Sequence, residues 1–71
     1  MSKEEIRDTV KSAPFRRFTI RLADGTKYRV PTADHVSISP SGRTLILWKD
    51  KGGYRHIDTA LILEIDFHEA A

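Results

Sequence analysis

Glycine falls at three places in this chain, and each closes a short run of apolar residues: Asp24-Gly25, Pro40-Ser41-Gly42 and Lys51-Gly52-Gly53. Glycine reaches positive φ without a Cβ penalty, so these are turn positions, and Asp-Gly suits a two-residue type I′ hairpin. The segments between the turns alternate apolar with polar residues, the period of a half-buried strand. Phe18, Ile20 and Leu22 alternate with Thr19, Arg21 and Ala23; Tyr28 and Val30 with Lys27 and Arg29; Val36 and Ile38 with Ser37 and Ser39. Residues 45–48 are an unbroken apolar run, which suggests cover on both faces. Leu61, Leu63, Ile65 and Phe67 alternate with Ile62, Glu64 and Asp66 in a last strand, and residues 68–71 are expected to fray. Pro31 cannot donate to a ladder, so its strand ends, bends or lies at an edge there. The expected strands span about 18–23, 26–30, 35–39, 44–49, 54–58 and 61–67.

Upstream of the strands, Ser2-Lys3-Glu4-Glu5 reads as a capping box, with Met1 and Ile6 placed as a hydrophobic staple. Ile6, Val10 and Ala13 form a narrow apolar stripe, and Pro14 stops the helix near residue 12 or 13. So short a helix is marginal alone and has to dock on the sheet.

At 71 residues the chain is one small domain. Such a core rarely supplies more than about 3–5 kcal/mol without a staple or a partner. There is no Cys, which removes disulfides and Cys-based zinc sites and points to a reducing, cytoplasmic setting. No apolar h-region opens the chain and no run is long enough to span a membrane. The expected fold is mainly β with one N-terminal helix: a small bent antiparallel sheet or barrel of five to six strands, of Sm or SH3 type. Closure into a barrel is favoured because it removes exposed edges, and six such short strands leave too little core for two independent sheets. The net charge of +2 is unevenly spread. Residues 15–58 carry nine bases against four acids, whereas residues 59–71 carry three acids and no base. That asymmetry hints at an anionic partner, but a solvated, salt-bridged surface is the favoured explanation.

The helix, the bent β segment and the Tyr54-Arg55-His56 step before the last strand resemble the Sm-like fold, and within it the Hfq branch of bacterial RNA chaperones. The resemblance rests on residues 18–25 (FTIRLADG) together with Tyr54-Arg55-His56. It implies that Arg55 and His56 form a pore pair contacting uridine-rich RNA, and that strands 54–58 and 63–67 pair edge to edge in a ring. A closer resemblance is to a group of small uncharacterised bacterial proteins. They share a Phe-x-x-Phe approach to the first strand, an Asp-Gly turn and a Ser-Pro-Ser-Gly-Arg turn, here Phe15 to Phe18, Asp24-Gly25 and Ser39 to Arg43. That resemblance implies no activity.

No residue pattern points to catalysis, a metal or a cofactor. His56-x-Asp58 sets an imidazole and a carboxylate on one strand face, but His35 and His68 are not spaced to complete a ligand set. Ser41 lacks a nucleophile-elbow context. Arg16, Arg17, Arg21, Lys27 and Arg29 gather around the first hairpin, where antiparallel pairing sets like charges together; phosphate would relieve this, and so would Asp24, Asp34 or the acidic helix. Trp48 and Tyr54 flank the Gly-Gly turn and either stack on bases or pack as core or interface. The reading is a binding or interaction module, not an enzyme, that self-associates through edge strands with Trp48, Ile46 and Ile62 at the interface. The alternative is an Sm-like RNA-binding protein using Tyr54, Arg55, His56 and the basic middle segment. The partner is accordingly a protein or a second copy, with RNA as the alternative and neither membrane nor small-molecule substrate indicated.

Overall fold

In a computed structural model, which describes residues 1–67, the chain is mainly β with one short N-terminal helix. The expected fraying of residues 68–71, and His68 with it, lies outside the described residues. Helix α1 (Lys3–Val10) starts as its capping box dictates: the Glu5 N–H donates to Ser2 Oγ at 3.1 Å, and Glu5 Oε1 accepts from the Ser2 N–H. It ends at Val10, earlier than Pro14 alone requires. The Ser12 N–H and hydroxyl both donate to the Thr9 carbonyl, at 3.3 and 2.9 Å, and tighten the last turn. Ile6 is fully buried and Val10 packs at the core margin, but Ala13 is exposed, so the apolar stripe is shorter than its spacing suggests. No described helix is long and apolar enough to cross a membrane.

Strands β1 (Phe18–Leu22) and β2 (Lys27–Val30) form the first hairpin. Its turn has three residues, not the two of a type I′ turn. The Gly25 N–H donates to the Leu22 carbonyl at 2.9 Å and the Leu22 N–H to the Thr26 carbonyl at 2.8 Å. Gly25 alone takes positive φ here, at 90°, as a type I turn followed by a bulge requires. Asp24 keeps negative φ, as the type I turn has it, and its carboxylate accepts from Thr26. The Thr26 hydroxyl and then its backbone N–H (2.9 Å) hold the Asp24 carboxyl below the usual range.

β3 (Val36–Ile38), β4 (Thr44–Trp48) and β5 (Tyr54–Asp58) form a second antiparallel set, and β6 (Ile62–Phe67) returns to β1. The result is two three-stranded sheets, β2-β1-β6 and β3-β4-β5, rather than one closed ring. Two sheets are sustainable because they share one core: Phe18, Ile20, Val30 and Ile62 from the first meet Val36, Leu45, Leu47 and Ile57 from the second, with Ile6 of α1 at the end. The steps at Ala33–His35 and Thr59–Leu61 are 3₁₀ turns, which shorten the neighbouring strands relative to their apolar patterns.

Two strand phases differ from the sequence pattern. The apolar run in β4 is not covered on both faces: Leu45 and Leu47 are buried, Ile46 is half-buried and Trp48 is 47% exposed. In β6 the register shifts where Arg21 opposes Glu64 and Leu22 opposes Ile62, so Leu63 is an extra, bulged residue. The bulge reverses the alternation at its N-terminal side. Ile62 is therefore fully buried, while Leu61 and Leu63 are exposed.

The 40–42 turn anchors the rest. A Cβ on Gly42, at φ 78°, would lie 3.0 Å from the Lys3 carbonyl oxygen, so the start of α1 sits directly on this glycine. The buried Thr59 hydroxyl donates to the Gly42 carbonyl at 2.7 Å.

Candidate binding surfaces

Each sheet has two edges, and three of the four are guarded. β2 is short, charged at Lys27 and Arg29, and followed by Pro31; β3 has three residues; β6 carries a bulge, Glu64 and Asp66. Such features discourage strand addition. β5 also carries charge, at Arg55 and Asp58, but at five residues, with no proline and no register shift against β4, it is the least guarded of the four. In its ladder the Lys49 N–H donates to the Gly53 carbonyl and the Thr59 N–H to the Arg43 carbonyl. Antiparallel alternation then assigns Arg55 and Ile57 to β4 and turns the N–H and C=O groups of Tyr54, His56 and Asp58 outward. Among the described residues no backbone group bonds to that edge.

The side chains of the same three residues lie on the outer face of the second sheet. There Trp48 and Tyr54 rings meet with centroids 5.3 Å apart at 54°, and Trp48 Nε1 donates to Ser37 Oγ at 3.3 Å. His56 opposes the half-buried Ile46. Asp58 accepts from the Ala60 N–H at 2.9 Å and so caps the 3₁₀ turn, which gives this carboxylate a structural task beside His56.

A second surface is a cleft of about 660 Å³ where β2, the β4–β5 turn and the segment before β1 converge. Arg17, Arg29, Lys49 and Arg55 line it, against one carboxylate, Asp50. The Arg55 guanidinium lies 4.8 Å from the centre of the Tyr28 ring, within cation–π range. His35 bridges the wall: Nδ1 is 2.7 Å from Thr32 Oγ1, and Nε2 is 2.6 Å from Asp50 Oδ1. An ionised carboxylate only accepts, so Nε2 carries a proton in this arrangement.

The residues expected to bind nucleic acid therefore divide among several places. Arg17, Arg29 and Arg55 line the cleft, together with Trp48. Arg16 sits over the Phe67 ring at 4.3 Å. Arg21 lies opposite both Lys27 and Glu64, and its Nε is 3.4 Å from Glu64 Oε1. Among the described residues the like-charge pair on the first hairpin is thus offset by an acid of β6, with no ion pair to Asp24, Asp34 or the helix. Tyr54 and His56 face outward while Arg55 points to the core side, because adjacent strand residues alternate. Of the expected interface residues, Trp48 and Ile46 share the outer face of β4, and Ile62 is instead a core residue. Lys49, Asp50 and His35 were missed by the sequence reading. Lys49 and Asp50 adjoin the turn that Lys51-Gly52-Gly53 marks in the sequence, but nothing local brings His35 to that turn.

Comparison with protein-family models, curated proteins and solved structures found no match.

Proposed function

We propose that this protein is a binding module rather than an enzyme, and that it self-associates by adding β5 of one copy to β5 of another. The observation that carries this reading is the β5 edge, the least guarded of the four, whose outward backbone groups belong to Tyr54, His56 and Asp58. Strand addition supplies affinity through main-chain hydrogen bonds and specificity through alternate side chains. Antiparallel pairing centred on His56 sets Tyr54 of one copy opposite Asp58 of the other, so a phenol meets a carboxylate twice around a two-fold axis. The joined sheet has six strands and covers the margin of the Trp48–Tyr54 pair.

An Sm-like RNA-binding role remains the second reading, supported by the basic residues of the middle segment. It has less support because those residues occupy separate surfaces.

Molecular mass in solution tests both. The expected result is a dimer or larger assembly that His56→Pro converts to a monomer with its secondary structure retained. The reason is that proline removes an outward N–H and no β4 bond. A wild-type monomer at high protein concentration, or an assembly indifferent to His56→Pro, would sink the strand-addition reading. A salt-dependent mobility shift with short U-rich or A-rich RNA would favour the second.

A further inference from the structure

We infer that the cleft between β2 and the β4–β5 turn is a site for a small phosphorylated ligand with a planar ring, a nucleotide in the simplest case. Four cations, Arg17, Arg29, Lys49 and Arg55, line it from separate parts of the chain, Arg29 from the rim, since it lies on the opposite strand face from Tyr28. Among the described residues no carboxylate lies within ion-pair distance of any of them. The one acid in the lining, Asp50, is engaged by His35 at 2.6 Å. Uncompensated guanidinium groups favour phosphate, which they bind in a planar fork.

The site is also held in shape before a ligand arrives. His35 ties the β4–β5 turn, which carries Lys49, to Thr32, and Arg55 is held over Tyr28. A cleft of about 660 Å³ falls within the usual range for small-ligand sites and exceeds what one phosphate fills. The remaining lining is apolar and aromatic, with Tyr28, Pro31, Leu47 and Trp48. Tyr28 is the aromatic ring on the cleft side, while Trp48 borders the cleft from β4 with its ring turned to the outer face against Tyr54 and Ser37.

Trp48 is the single tryptophan of the chain, so its fluorescence reports occupancy without a label. The test titrates the full chain at low salt with ADP, pyrophosphate and adenosine. The expected result is saturable quenching by ADP, stronger than by either fragment, and weakened about tenfold or more by Lys49→Glu. Lys49 is exposed, so that variant should fold, and an unchanged thermal midpoint checks it. Lys27→Glu makes the same change in net charge away from the cleft lining and should leave the affinity as it is. No saturable change up to about 1 mM ADP would overturn the inference. So would equal weakening by the two substitutions, or pyrophosphate binding as tightly as ADP.

Discussion

At the scale of single residues, Thr59 carries more than its place in the sequence suggests. Read along the chain, it is a corner residue between two strands. In the fold its hydroxyl is buried and donates at 2.7 Å to the carbonyl of Gly42, seventeen positions away in sequence. Its own N–H donates to the Arg43 carbonyl at 2.9 Å. One side chain thus joins the β3–β4 turn, the start of α1 that rests on Gly42, and the approach to β6. Thr59→Val keeps the shape but leaves the Gly42 carbonyl buried without a donor, a loss of about 1–3 kcal/mol. Urea unfolding should show that loss, while Thr59→Ser, which retains the hydroxyl, should recover most of it. Equal stability of Val and Thr at this position would mean that the bond does not hold the turn. The Ser2–Glu5 cap belongs to the same scale and was legible in the sequence, because it joins residues three apart, where spacing alone fixes the geometry. The Asp24–Thr26 contact was not, since Asp24-Gly25 reads as a two-residue turn and the fold makes it three.

At the scale of elements, strand existence followed from apolar alternation, and strand phase did not always do so. The last strand shows why. Its pattern of Leu61, Leu63, Ile65 and Phe67 reads as one inward face, but the bulge at Leu63 lets Ile62 and Ile65 both point inward across a break in phase. A bulge adds a residue without any composition of its own, so a period-of-two reading passes straight through it. The consequence is measurable. Leu63, 52% exposed, should accept Lys with a change within about 0.5 kcal/mol, as for other surface positions. Ile62→Ala should cost about 2–5 kcal/mol, as for a buried branched side chain. Chemical denaturation of the two variants decides the phase, because continuous alternation demands the opposite order. The apolar run in β4 misled for a related reason: cover on the outer face depends on what other elements do, and none of those described packs over Trp48.

At the scale of the whole molecule, segregation of charge along the sequence is not segregation in space. The acidic last segment lies beside the basic first hairpin, where Glu64 meets Arg21, and that part of the asymmetry is cancelled locally. Among the described residues the cleft cations at positions 17, 29, 49 and 55 have no carboxylate partner, and they come together through tertiary structure alone. The division into two sheets was hidden for the same reason, since it depends on which distant strands pair. Both sheets depend on one set of buried side chains, with Ile6 of α1 completing it and no second core to fall back on. Neither sheet should then survive the loss of the other, and the helix is required by both. Trp48 reports on the second sheet, and far-UV circular dichroism reports on all elements. The two signals should follow one coincident unfolding curve. Ile6→Ala removes a fully buried side chain at a cost of about 2–5 kcal/mol, from a core of a size that rarely supplies more than about 3–5 kcal/mol. It should shift both curves together and by the same amount. An Ile6→Ala protein in which the Trp48 signal keeps its wild-type midpoint while circular dichroism moves would show that the second sheet stands alone. The shared core would then not be what unites the two sheets.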